Sequence, residues 1–70
     1  MLKRKQFLFK TNFPVLLFFN DTNGMPNNIT IKKDSIGFYI EKVNDVYAKV
    51  FLNGKFGEIF RKSIEFIKVE

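Results

Sequence analysis

Short apolar runs separated by turn-forming residues constrain the fold of this chain more than any other feature. The runs have the length of β-strands, are rich in Val, Ile, Phe and Tyr, and are bounded by Asn, Asp, Gly and Pro. No apolar stripe with the 3.6-residue period of a helix extends along the chain. The sequence therefore predicts an all-β domain with strands at residues 5–10, 14–19, 29–32, 36–43, 46–52, 56–60 and 64–69.

Two tight hairpins and one longer loop are predicted to join these strands. Asn53-Gly54 is the strongest hairpin signal, because a type I′ turn needs positive φ at both central positions. Asn44-Asp45 is expected to form a second tight turn, before the strand at 46–52. The polar segment 20–28, which contains Gly24 and Pro26, is predicted to be the one substantial loop.

The strand at 46–52 has a clear two-residue alternation, from which its two faces can be predicted. One face is expected to point into the core, and its residues are Val46, Ala48, Val50 and Leu52. The other face is expected to point outward, and its residues are Tyr47, Lys49 and Phe51.

Length and residue types restrict both the architecture and the chemistry. Seventy residues predict a single domain, 1–70, in which residues 1–12 form an N-terminal extension or an edge strand. The ten phenylalanines are expected to supply the core. The chain has no histidine and no cysteine, and its carboxylates fall at predicted turns or solvent faces. We therefore expect no enzymatic activity, no cofactor, no metal site and no small-molecule substrate.

The charge balance favours an acidic partner. The net charge is +5 and the isoelectric point is about 9.7. A basic surface of this kind favours binding to nucleic acid, anionic lipid or an acidic face of a protein. The alternative is that dispersed basic residues only keep a Phe-rich domain in solution. The abundance of Lys, Asn and Ile is typical of an AT-rich genome, such as that of a bacteriophage or a low-GC bacterium.

The N-terminus has some features of a targeting segment but not enough to predict one. Its basic start is followed by an apolar run at 13–19 that is short, contains Pro14, and ends at Asn20 and Asp21 without a small-residue cleavage site. The run is shorter than the roughly 20 residues that a membrane span requires. The sequence therefore predicts a cytoplasmic protein for which membrane binding is not expected. If the chain is phage-encoded, the predicted location is the host cytoplasm.

Residues 29–67 resemble the Src-homology-3 family and the related bacterial and KOW small barrels. The segment reads ITIKKDS, then IGFYIEK, the turn at Asn44-Asp45, and VYAKVFLNGKFGEIFRKSIEFI. In that family a diverging turn leads into three meandering strands, a distal hairpin, a glycine, a single 3₁₀ turn and a last strand. The resemblance implies a five- to six-stranded small barrel with one 3₁₀ turn before the last strand.

The resemblance also assigns positions within that barrel. Gly57 would occupy the site of barrel closure where no side chain fits, and residues 61–63 would be the 3₁₀ turn. Ile59 and Ile64 would point into the core on either side of the turn. Segment 20–28 would be the specificity loop, which carries Asp21, Asn23 and Met25.

The peptide-binding groove of the family is incomplete in this chain. Tyr47 stands where the family has Trp, Phe60 where it has Pro, and Ser63 where it has Tyr. The specificity loop carries a single acidic residue, Asp21. We therefore do not expect recognition of classical proline-rich ligands.

Two functional hypotheses follow from the residues expected at that surface. The binding surface is predicted to consist of Tyr47, Lys49, Phe51, Phe60, Arg61 and Lys62. The first hypothesis is a non-catalytic module that docks on an acidic or mixed face of a cognate or host protein, as a phage factor could do. The alternative is a small nucleic-acid-binding barrel of the KOW or Sm-like kind, with Lys32 and Lys33 as an additional basic patch. A segment 3–10 folded across this face would bury its aromatic residues under either hypothesis. The oligomeric state is left open.

Overall fold

The computed structural model describes residues 7–68, which form one antiparallel sheet of seven strands and a single 3₁₀ turn. The strands are β1 (Leu8–Thr11), β2 (Val15–Asn20), β3 (Pro26–Ile31), β4 (Ile36–Lys42), β5 (Tyr47–Leu52), β6 (Lys55–Phe60) and β7 (Ile64–Phe66). Their order across the sheet is β3-β2-β6-β5-β4-β1-β7. None of these elements is a helix of the length and apolarity needed to cross a membrane.

The predicted all-β fold is confirmed, and each predicted strand overlaps an observed one. The 3₁₀ turn is also confirmed, at Arg61–Ser63 immediately before β7. Residues 5–6 of the first predicted strand and residue 69 of the last lie outside the described residues. The sheet has seven strands where five to six were expected, and the strand pairs of residues 7–68 leave β3 and β7 as its two edges.

Most strand boundaries differ from the prediction by one to three residues, and two of these differences change the interpretation. β3 begins at Pro26 instead of residue 29, so the predicted long loop 20–28 is reduced to a turn at residues 21–25. Asn27 and Asn28 extend the strand because they pair with Phe19 and Phe18, and this pairing within the β2–β3 hairpin outweighs the low β-propensity of Asn. Val46 was assigned to the core and is 45% exposed, because β5 begins one residue later.

The sheet is curled around one apolar core. The fully buried cluster contains Phe9 of β1, Leu17 of β2 and Ile31 of β3. In the sheet order β6, β5 and β4 lie between β1 and the neighbouring strands β2 and β3, so the sheet must curl to bring these side chains together. Ala48, Val50 and Leu52 are buried, as the alternation of β5 predicts. The predicted positions of Ile59 and Ile64 are confirmed as well, since Ile59 is fully buried and Ile64 packs against the cluster.

Hydrogen bonds of Thr11, in β1, connect one end of the curled sheet to the segment that follows β3 at the other end. Its buried hydroxyl donates to the carbonyl of Lys32, just after β3, at 2.8 Å. The same hydroxyl accepts from the N–H of Ser35 at 3.0 Å, and the Thr11 N–H donates to the Ser35 carbonyl at 3.0 Å. Because all these polar groups are satisfied, a buried Thr is tolerated beside the core.

The two predicted hairpin turns are present. Asn53 and Gly54 have φ values of 58° and 78°, the left-handed geometry that a type I′ turn requires. The side chain of Asn44 accepts hydrogen bonds from the N–H groups of Val46 and Tyr47, both at 2.8 Å. Such local side-chain bonding is the reason why Asn favours turns.

Candidate functional site

The outer face of the sheet carries a row of three phenylalanines, one on each of three neighbouring strands. Phe51 of β5 lies opposite Phe38 of β4 on one side and Phe56 of β6 on the other. We call Phe38, Phe51 and Phe56 the phenylalanine row. Phe38 and Phe56 are 54% and 66% exposed, and the Phe51 and Phe56 rings have centroids 4.6 Å apart. Exposed aromatic residues in one contiguous patch are typical of an interaction surface.

A second row, made of charged residues, lies beside the phenylalanine row on the same three strands. We call it the charged row. Lys49 of β5 lies opposite Glu41 of β4 and Glu58 of β6. Side chains directly opposite on antiparallel strands have their Cβ atoms about 5 Å apart. Two glutamates therefore flank one lysine across the strands, and this row has a formal charge of −1 although the chain as a whole has +5.

Tyr47 and Phe60, which border the charged row, are held by other aromatic rings. Tyr47 pairs with Phe60 across β5 and β6. The Tyr47 ring meets Phe18 edge-on with centroids 6.0 Å apart, and Phe60 lies 6.4 Å from Phe13. Both residues are half-buried in these contacts. They are consequently less accessible to a partner than Phe38 and Phe56.

Residues 7–10 of the N-terminal segment do not cross the outer face, where they would have covered its aromatic residues. In this described part of the segment, Leu8 pairs with Phe38 of β4, and the carbonyl of Phe7 accepts from the N–H of Tyr39. This part therefore lies beside β4 in the sheet and leaves the outer face of β5 uncovered. The remainder of the covering segment, residues 3–6, lies outside the described residues.

Arg61 and Lys62 have different surroundings within the 3₁₀ turn. The Arg61 guanidinium donates from Nη1 to the carbonyl of Asp45 at 3.0 Å, and the Arg61 N–H donates to the carbonyl of Val46 at 2.7 Å. Arg61 therefore ties the 3₁₀ turn to the turn between β4 and β5. Lys62 is exposed. Ser63 is buried, and its hydroxyl donates to the Phe60 carbonyl.

The predicted basic patch lies in the turn between β3 and β4. Lys32 and Lys33 are both exposed, and the Lys32 carbonyl accepts from the hydroxyls of Thr11 and Ser35. The next residue, Asp34, has a φ of 68° and forms a 3.8 Å ion pair with Lys10. Lys32 and Lys33 lie outside the strand pairs that form the phenylalanine row and the charged row.

The predicted specificity loop is a short, internally bonded turn. One carboxylate oxygen of Asp21 accepts from the N–H of Asn23 at 2.9 Å and from the N–H of Met25 at 3.0 Å. Asn23 is exposed, and Met25 is 59% exposed at the tip of the β2–β3 hairpin. The turn is thus ordered by its own side chain, in the manner of an Asx-turn.

An open groove of about 550 Å³ lies between this hairpin and the outer face of β5 and β6. It is lined by Phe18, Phe19, Asn20, Pro26, Asn27, Lys49, Phe56, Gly57 and Glu58. The Lys55 ammonium sits 4.8 Å from the centroid of the Phe19 ring. Lys49, Phe56 and Glu58 line the groove and also belong to the two rows, so the groove and the rows form one continuous surface.

Sequence reasoning identified part of this surface and missed its most exposed aromatic residues. The predicted Lys49 and Phe51 lie at its centre, with Tyr47 and Phe60 at its border. Phe38, Phe56 and Phe18 were not predicted as site residues. The predicted two-residue turn at Asn53-Gly54 places Phe56 opposite Phe51, and this signal could have identified Phe56. Phe38 lies opposite Phe51 through the β4–β5 register, which shifts between Tyr39 and Glu41 and could not be predicted.

Within residues 7–68, no group of three or more acidic side chains is arranged to hold a metal ion. In comparisons with protein families, curated proteins and solved structures, no family model, relative or structure matched this chain. The geometry of the outer face is therefore the basis for a functional hypothesis.

Proposed function

We propose that this chain is a non-catalytic module that binds another protein through the phenylalanine row, the charged row and the adjoining groove. The partner is a cognate or host protein whose surface combines an apolar centre with charges of both signs. The exposure of Phe38 and Phe56 supports this proposal, since buried aromatic anchors dominate the energetics of protein interfaces. No small-molecule substrate and no cofactor belong to this proposal.

We also propose a Src-homology-3-like small barrel as the fold type of the module. Three meandering strands β4, β5 and β6 support it, as do the distal turn at Asn53-Gly54 and the 3₁₀ turn before the last strand. The position of Gly57 adds further support, because a β-carbon there would overlap the carbonyl oxygen of Phe18.

The charged row is the single observation that favours a protein partner over nucleic acid. A phosphate group that approaches Lys49 would meet the carboxylates of Glu41 and Glu58 on either side. Nucleic-acid binding depends on neutralising phosphates with basic residues, and the two carboxylates would oppose it. A protein surface can instead place basic groups opposite the two glutamates and an acidic group opposite Lys49.

Affinity capture with the immobilised chain tests this proposal. We expect a defined protein to be retained from a cognate lysate after nuclease treatment and at two salt concentrations. The double variant Phe38→Ala/Phe56→Ala should lose it, because both apolar anchors of the interface are removed. Phe66→Ala is the matched control, since Phe66 is 52% exposed but lies on β7, outside the phenylalanine row.

Three outcomes would contradict the proposal. The first is loss of every captured protein after nuclease treatment, and the second is equal capture by the parent chain and the Phe38→Ala/Phe56→Ala variant. The third is binding of a labelled oligonucleotide whose affinity falls steeply with salt and is reduced by Lys49→Ala. This third result would favour the nucleic-acid alternative.

A further inference from the structure

The two edges of the sheet, β3 and β7, present backbone groups that an additional strand could pair with. Exposed edges of this kind are templates for aggregation or for pairing with another chain, and natural proteins usually protect them. Prolines and very short strands are among the devices that do so. A side chain that accepts a hydrogen bond from an outward N–H also removes that donor from an added strand. The hydrogen bonds of this chain show how each of its edges is protected.

The register of the β2–β3 hairpin identifies which N–H groups of β3 point away from the sheet. Asp21 donates its N–H to the Met25 carbonyl at 2.9 Å, at the position that continues the register beyond Asn20↔Pro26. Hydrogen-bonded and non-hydrogen-bonded pairs alternate in an antiparallel ladder. The outward positions of β3 are therefore Pro26, Asn28 and Thr30.

Two of these three positions offer no N–H to an incoming strand. Pro26 has no N–H. The N–H of Asn28 donates to the side-chain oxygen of Asn27 at 2.8 Å. Of the outward positions on β3, this leaves the N–H of Thr30 for an added strand.

The β7 edge is restricted in a similar way, although by different means. Asn12 donates to the Ser63 carbonyl and Ile67 donates to the Leu8 carbonyl, so Ile64 and Phe66 occupy the outward positions. The N–H of Ile64 donates to the Arg61 carbonyl within the 3₁₀ turn. β7 is also only three residues long.

We infer that Asn27, together with Pro26, closes the β3 edge against strand addition by a second copy of this chain. The side-chain oxygen of Asn27 accepts from the N–H of Asn28. This N–H is the central outward donor of β3, which a second β3 strand would need. Asn27 thus disfavours edge-to-edge pairing of two copies of the chain. This inference does not depend on the proposed function.

The test compares the molar mass of the parent and of two variants over a range of protein concentrations, by light scattering coupled to size-exclusion chromatography. Asn27→Ala and Pro26→Thr/Asn27→Ala restore one and two outward donors. We expect their measured mass to rise with concentration toward twice the parental value, more strongly for the double variant. Asn23→Ala is the control, because Asn23 lies in the turn of the same hairpin and should leave the mass unchanged.

Variants that fold, as judged by circular dichroism, and that keep the parental mass at every concentration would overturn the inference. Hydrogen exchange in the parent chain provides a second test that needs no variant. The protection factor of the Asn28 amide, which corrects for the intrinsic exchange rate of each residue, should exceed that of Thr30 about fivefold, the factor that a net hydrogen bond of about 1 kcal/mol gives. Equal protection factors for the two amides would also overturn the inference.

Discussion

The carbonyl oxygen of Phe18 lies so close to Gly57 that a β-carbon at position 57 would overlap it. The side chain of Leu17 approaches Gly57 from the same strand, at 2.9 Å from that β-carbon position. This is where β2 meets β6, and the strands share a single register pair, Phe18↔Glu58. The close approach therefore positions the β2–β3 hairpin beside the outer face and forms one wall of the groove.

The variant Gly57→Ala should destabilise the protein by about 2 kcal/mol, the usual cost of overpacking a close contact. The expected observation is a lower midpoint of urea denaturation with an unchanged slope. Gly24→Ala is the control, because Gly24 has a φ of 77° but open space around it. It should cost about 1 kcal/mol from backbone strain alone. A Gly57→Ala variant as stable as the parent would contradict this account of the β2–β6 contact.

Removing the carboxylates of the charged row should increase the affinity for nucleic acid. The variant Glu41→Gln/Glu58→Gln leaves Lys49 without acidic neighbours, so a phosphate can approach it. We expect tighter binding of a labelled oligonucleotide in fluorescence anisotropy, with a steeper dependence on salt than the parent shows. The control Asp45→Asn/Glu65→Gln produces the same change in net charge away from this row. Equal gains in the two double variants would show that only net charge matters.

Arg61 and Lys62 should separate into a structural residue and a surface residue. Arg61→Ala removes the hydrogen bond to the Asp45 carbonyl, and we expect a loss of about 1 kcal/mol in the free energy of unfolding. Lys62→Ala should change that free energy by less than about 0.5 kcal/mol, because Lys62 is exposed. Thermal and urea denaturation of both variants provide the measurement. If the two variants are equally stable, Arg61 does not anchor the 3₁₀ turn.

The fold was more predictable from the sequence than the candidate site was. The turn at Asn53-Gly54 could be predicted because the type I′ turn has a backbone requirement that these two residues meet. The buried face of β5 could be predicted because side chains alternate along a strand. The long loop was wrongly predicted, since the polar composition of 20–28 gave no sign that Asn27 and Asn28 pair with β2.

The sequence by itself determined the all-β class, the succession of strands and the positions of the tight turns, because these depend on local backbone preferences and two-residue alternation. The two-residue turn at Asn53-Gly54 also sets the register of β5 and β6, and with it the pairs Phe51↔Phe56 and Lys49↔Glu58. Only the tertiary structure decided how the rest of the outer face is assembled. Phe38 and Glu41 complete the two rows through a β4–β5 register that shifts between Tyr39 and Glu41, and the groove forms where β2 meets β6 at Phe18↔Glu58. Local preferences specify neither the bulge in β4 nor a contact between strands that are far apart in the sequence, so these parts of the surface required the folded structure.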